Sequence, residues 1–365
     1  MKLLNIPISW YIIFLLIIYI LEYHYGIIRS LLPKRNKNNI KKFKLNTQLN
    51  KFNQMRDEID KMLVTALRHD IADQKLLELT EYAVEGGKRV RGVIMLSAFR
   101  KNLEHPTEQH IVAISDAIIT VEYIHCSSLI LDDIMDEDDM RRGKLSLHTK
   151  HNIPIAQLVA VQLLTLAFKR LTAALETLKS LDNSNSELAL VVLQEMSTKL
   201  NELSMGQYMD VVYAGNLPHT GKMIKQKIEE EQIRISTNEI IQKKTSSLFE
   251  LSYLFAYLII NNSLPLNELN QSLNPVKKLA NIFGMIFQIA DDFEDYKQDQ
   301  IQNGKNIVMN YPLNKGLSTA YSDYQSYVKS FNTQSKELNL NTEEIAEILE
   351  YLSEKVSLYF EHYKS

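Results

Sequence analysis

The chain has 365 residues, 45% of them hydrophobic and 23% charged, with a formal net charge of −3: material for a sizeable folded core and no sign of a disordered chain. That charge balance excludes the strongly basic face a nucleic-acid binder needs, and a single cysteine, Cys126, excludes an intramolecular disulfide framework or a thiolate metal cluster. Only 11 Gly and 8 Pro occur, too few turn residues for a many-stranded sandwich or barrel, which favours long helices.

The first element is an uncharged run from Leu3 to Leu21, almost wholly apolar from Trp10 onward. It just reaches the length of a membrane span, with Trp10, Tyr11, Tyr23 and Tyr25 suited to the interfaces. A cleaved signal peptide is the rival reading, but no small-residue cleavage site follows. Lys34, Arg35, Lys37, Lys41, Lys42 and Lys44 come next, against one lysine before the run. This asymmetry predicts a single-pass anchor with the C-terminal side cytoplasmic. Residues 1–45 are therefore expected to be anchor and basic linker, and residues 46–365 the folded domain. The linker is either held by anionic headgroups or simply solvated.

From about Leu45, apolar residues recur at helical spacing. Examples are Ile111, Ile114, Ile118 and Val121; Leu248, Leu251, Phe255, Leu258 and Ile259; and Leu279, Ile282, Phe283, Ile286 and Ile289. Polar breaks near 101–106, 181–187, 216–222 and 261–267 read as inter-helix loops. The highly charged stretch Lys222 to Glu239 reads as a mobile surface excursion.

Two segments stand out against this helical background. Ser127-Ser128-Leu129-Ile130-Leu131-Asp132-Asp133-Ile134-Met135-Asp136 and Phe287-Gln288-Ile289-Ala290-Asp291-Asp292-Phe293-Glu294-Asp295 each run an apolar helix into D-D-x-x-D. Residues four apart share a helix face, where like charges repel. Asp132 with Asp136, and Asp291 with Asp295, make sense there if a cation binds. Carboxylate oxygens suit Mg²⁺, which keeps waters and bridges to substrate phosphates. Two such clusters facing one another would hold several ions around one diphosphate. The basic counterpart is present too. Gly86-Gly87-Lys88-Arg89-Val90-Arg91 supplies three cations after two glycines. Arg141 and Arg142 follow the first cluster by five and six residues, expected about one and a half helical turns on. Lys244-Thr245 precedes an apolar helix, and Lys305 follows the second cluster. A P-loop and a dinucleotide fingerprint are absent.

With these motifs, and with His125 seven residues before Asp132 and Gly206-Gln207 followed by Asp210, the chain resembles the trans-prenyltransferase (polyprenyl synthetase) family over roughly residues 50 to 330. The resemblance implies an all-α, antiparallel helix bundle around a deep central cavity (the isoprenoid synthase fold), here preceded by an N-terminal hydrophobic helix. It implies a homodimer. It also implies head-to-tail condensation of isopentenyl diphosphate with an allylic diphosphate, using two or three Mg²⁺ per subunit. By position, Lys88, Arg91, His125 and Arg142 match the isopentenyl diphosphate site. Arg141, Lys244, Thr245, Gln288 and Lys305 match the allylic diphosphate site. Asp132, Asp136 and Asp291 are the expected metal ligands, with Asp133, Asp292 and Asp295 in support. The residues carrying catalysis are expected to be Asp132, Asp133, Asp136, Arg141, Lys244, Asp291 and Asp292. One departure is that the segment Gly304 to Pro312 is shorter than the family's usual lysine-containing stretch.

Chemically, metal and cationic side chains stabilise the departing diphosphate while the apolar surroundings protect the allylic cation from water. Ser127 and Ser128, one turn before Asp132, are small, and predict a product of C20 or longer. Two alternatives are a class I terpene cyclase and a regulatory subunit of a heteromeric synthase. The first is disfavoured by the Asp-rich second motif and the Gly-Gly-Lys-Arg segment. The second is disfavoured because both acidic motifs are kept.

Overall fold

Helix boundaries follow local chemistry along the chain. Asp73 caps α2 (Gln74–Val84) by accepting from Leu76 N–H, and α1 (Asn50–Asp70) precedes it. Thr107 caps α4 (Glu108–Met135), in a box completed by the His110 side chain. Asn152 caps α6 (Ile153–Lys179), which has proline in its first turn, where no N–H is needed. Between them lie α3 (Val90–Asn102) and the single turn α5 (Leu147–Lys150). The second half contains α7 (Leu188–Tyr213), α8 (Thr237–Ile241), a π turn over Gln242–Ser246, α9 (Ser247–Ile260) and α10 (Leu266–Ile301). It closes with α11 (Tyr311–Lys315), α12 (Leu317–Glu337) and α13 (Glu343–Lys364).

The computed structural model describes residues 45, 47–181, 185, 187–213, 236–301 and 310–364, all within one compact unit, residues 43–365. The N-terminal apolar run, the basic linker, most of the 222–239 stretch and Lys305 lie outside the described residues. The last part of that charged stretch is folded: Thr237 to Ile241 is helical, with Ile240 fully buried.

Central helices are apolar on every side, because neighbours cover them on every side. In α9, 12 of 14 residues are buried. Helices α4 and α6 form the most extensive pair. Ser127 donates to Ala160 O (2.8 Å), Thr120 to Ala167 O (3.2 Å), and Arg170 to Asp116 (2.8 Å). Later residues of one helix meet earlier ones of the other, so the pair is antiparallel. Alanines 156, 160, 167 and 174 let the backbones close up. Phe249, Phe283, Phe287 and Phe331 knit α9, α10 and α12, with ring centroids 5.1–5.4 Å apart. Helices α4 and α6 have the length and hydropathy of membrane spans, but α4 is largely buried within the protein.

The helical expectation holds with one correction. Arg141 and Arg142 do not continue a helix. Helix α4 stops at Met135, Glu137 turns left-handed (φ 54°), and a two-residue hairpin pairs β1 (Met140–Arg141) with β2 (Lys144–Leu145). Arg142 (φ 53°) and Gly143 (φ 77°) both have positive φ, the type I′ turn that matches strand twist. Tyr82 Oη donates to Leu145 O (2.7 Å) and Lys144 pairs with Glu85, docking the hairpin on the end of α2.

Candidate active site

In each D-D-x-x-D motif the middle aspartate is committed to the protein. Asp133 is buried and accepts Arg141 Nε at 2.6 Å, with Arg141 Nη2 on the same oxygen. Asp292 is also buried. Gln288 Nε2 donates to its Oδ1 (2.8 Å) and Tyr311 N–H to its Oδ2 (2.8 Å). Both oxygens of Asp292 therefore hold protein donors, Gln288 on one and the Tyr311 N–H on the other. The outer aspartates, Asp132, Asp136, Asp291 and Asp295, are half-buried or exposed on the other face, as four-residue spacing requires.

The π turn joins the two motifs. Lys244 Nζ lies 3.0 Å from Asp132 Oδ1 and pairs with Asp210 of α7. Burial works against its charge, and Asp132 and Asp210 outweigh it, raising its pKa. The next residue, Thr245, donates to Gln288 Oε1 (2.7 Å), the same amide that holds Asp292. Consecutive residues thus contact both acidic helices. Two glycines admit this bulge. A Cβ on Gly206 would sit 2.7 Å from the Lys243 carbonyl carbon, and one on Gly284 would sit 2.8 Å from Ser246 Cα. Backbone contacts that tight leave no room for a methyl group, and π bulges recur at functional sites.

The basic segment is set by Arg89, which is buried and left-handed (φ 55°) at the start of α3. Its guanidinium donates to Asp60 (2.7 Å), Glu122 (3.2 Å) and Val84 O (2.6 Å). Glu122 also accepts from Gly92 N–H (3.2 Å). With Arg89 spent on structure, Lys88 projects to solvent near Asp291 (3.7 Å), while Arg91 turns inward. Arg91 lies 4.2 Å over the Phe249 ring and 3.3 Å from His125 Nε2. Burial draws Arg91 down to about 10, against the pull of Glu122. Burial, then Arg91 and Arg142, push His125 well below its usual pKa, so it is neutral at pH 7 and accepts from Arg91. Arg142 donates to Val84 O and Glu85 O (3.2 and 3.0 Å) at the end of α2. Of the isopentenyl-site residues predicted from sequence, Arg91 and His125 therefore meet each other, Arg142 lies at the end of α2, and Lys88 lies toward Asp291. The role of Ser127 reads differently: its hydroxyl is turned onto α6, while Ser128 is half-buried and donates to His125 O (2.8 Å).

One site residue escaped the sequence reading. Lys355 of α13 pairs with Asp291 (2.9 Å) and Glu294 (2.5 Å). Burial alone would raise Asp291, and Lys88 and Lys355 together hold it below the usual carboxylate range. Burial, then Asp299, Asp291 and Glu294, push Asp295 up to about 6.

Hard oxygen donors alone make up this set, which fits Mg²⁺. Asp132 Oδ1 is buried with no hydrogen-bond donor; Lys244 Nζ lies 3.0 Å from it, and Arg141 Nη2 lies 3.9 Å from the other carboxylate oxygen. Among the described residues no three His, Cys, Asp or Glu side chains converge on one point. A groove of about 750 Å³ between α12 and α13 contains none of these residues. A pocket of about 30 Å³ lies against Asp133, Arg141 and Arg142.

A family model described as polyprenyl synthetase matches residues 73–351. Farnesyl diphosphate synthase of Buchnera aphidicola is 28% identical over 300 residues, covering 77% of this chain and 94% of the relative. All-trans-nonaprenyl-diphosphate synthase (geranyl-diphosphate specific) of Rhodobacter capsulatus is 30% identical over 237 residues, 64% of this chain and 60% of the relative. Geranylgeranyl pyrophosphate synthase 4 of Arabidopsis thaliana is 32% identical, over 61% of this chain and 54% of its own length. Among solved structures, a geranyltransferase from Legionella pneumophila superposes with TM-score 0.64 at 20% identity, over 86% of this chain and 99% of that one.

Proposed function

The chain belongs to the polyprenyl synthetase family of prenyltransferases, and from that premise we propose that it condenses isopentenyl diphosphate with an allylic diphosphate, head to tail. The observation that carries the proposal is the π turn, whose adjacent residues Lys244 and Thr245 contact the two acidic helices. Two or three Mg²⁺, held by Asp132, Asp136, Asp291 and Asp295, would act as Lewis acids on the diphosphate leaving group. Lys244 and Arg141 add fixed positive charge beside it. Lys88, Arg91 and Arg142 bind the second diphosphate, arginine through its planar fork. Thr245 and Gln288 offer oxygen dipoles to the allylic cation.

A product of C20 or longer is supported by the small, half-buried Ser128 one turn before Asp132. Homodimer formation is supported by exposed apolar side chains, Leu158 (63%) and Val161 (60%) on α6 and Leu190 and Leu193 on α7. The anchor proposed for residues 3–21 would hold the domain on the cytoplasmic side of a membrane.

The test is product chromatography on the full chain in detergent, with labelled isopentenyl diphosphate and farnesyl diphosphate, with and without Mg²⁺. Magnesium-dependent elongation to C20 or beyond is expected, and shorter products from Ser128→Phe. Absence of condensation would overturn the proposal.

A further inference from the structure

The C-terminal helix reaches the second aspartate cluster with one charged side chain. The inner stripe of α13 is apolar and buried: Ile345, Ile348, Leu349, Leu352, Val356 and Tyr359. Lys355 lies on that stripe and is 4% exposed. A buried ammonium requires anionic partners, and Lys355 has two, Asp291 Oδ1 at 2.9 Å and Glu294 Oε2 at 2.5 Å. Anchoring α13 needs no lysine here. Buried ion pairs are often replaced by apolar residues at no cost in stability, and every neighbour on the stripe is already apolar. The lysine instead places a permanent positive charge on the first aspartate of the motif.

We propose that Lys355 is a resident counter-cation of the second cluster, whose ammonium competes with a divalent ion for Asp291. It lowers the metal affinity of the cluster and ties metal loading to the seating of α13. When an ion takes Asp291, Lys355 keeps Glu294, which lies one turn along the same helix. This inference rests on the reading of the second cluster as a metal site.

The probe is Mn²⁺ with inorganic pyrophosphate, followed by electron paramagnetic resonance of free Mn²⁺. The full chain carries Asp132→Asn, so that the second cluster dominates the signal. Lys355→Met is expected to tighten Mn²⁺ binding by about tenfold, since one positive charge leaves the immediate neighbourhood of the ion. Lys355→Arg keeps the charge and is expected to bind as the parent does. Unchanged or weaker binding in Lys355→Met overturns the proposal. A second measurement needs no substitution at 355. In the unsubstituted chain, Mn²⁺ with pyrophosphate is expected to speed amide exchange around Lys355 in α13, and unaltered exchange overturns the proposal. Failure of the Asp132→Asn parent and the unsubstituted chain alike to bind Mn²⁺ would overturn the metal reading itself. Binding insensitive to residue 355 would overturn only the counter-cation.

Discussion

The two aspartate clusters share one spacing, yet the chain neutralises them in different ways. The first is met by cations on irregular backbone: Arg141 from a tight hairpin and Lys244 from a π turn. The second stands on a long regular helix, and its cations come from far along the chain, Lys88 at the start of the domain and Lys355 in its last helix. The first cluster therefore depends on local backbone geometry, and the second on how distant helices seat. In both, the middle aspartate is buried and bonded to protein donors, while the outer pair is less buried on the other face. Identical sequence spacing thus places the same residues, and the surroundings decide how each cluster is charged.

The largest effect expected from this contrast separates outer from middle aspartates. Asp132→Asn or Asp291→Asn should lower kcat by about 10²–10³, the usual cost of losing one element of charge stabilisation. Asp133→Asn should act mainly on stability, by about 2 kcal/mol, through the loss of its charged hydrogen bonds with Arg141. Steady-state kinetics beside urea titrations would read both. Equal kinetic losses at 132 and 133, with equal stability, would erase the distinction.

A smaller effect tests the dependence of the first cluster on its bulge. Gly206→Ala pushes the Lys243–Lys244 backbone and moves Lys244 from Asp132. A loss of about 10-fold to 100-fold in kcat is expected, because sub-ångström misplacement is costly in a positioned site. The second cluster should keep its Mn²⁺ affinity in this variant, measured without pyrophosphate. The smallest effect is one of pH. Asp295 titrates at about 6, so Mn²⁺ binding at the second cluster should strengthen as pH rises from 5 to 7 and that proton leaves. The first cluster, in an Asp291→Asn chain, should change less over the same range.

Much of this site was legible in the sequence. Helical periodicity located the helices because their cores are apolar, and D-D-x-x-D spacing put Asp132 with Asp136 and Asp291 with Asp295. Three features were hidden for physical reasons. The hairpin at Met140–Leu145 is too short to show alternation, and its signal was the Arg142-Gly143 pair at positive φ. The π turn leaves no periodic mark, although Gly206 and Gly284, small residues inside helices, are its imprint on neighbouring elements. Lys355 sits 64 residues from Asp291, a pairing only tertiary packing creates. Its one local trace is a charged residue on an otherwise apolar stripe.

The central claim is that both clusters grip one diphosphate through shared metal. A double-mutant cycle tests it most directly, with pyrophosphate affinity measured calorimetrically in Mn²⁺ for the parent, Asp132→Asn, Asp291→Asn and the double variant. Convergence on a common ligand predicts strong non-additivity, a coupling of at least about 1 kcal/mol. Losses that add to within about 0.5 kcal/mol would mean two independent sites and would contradict the claim.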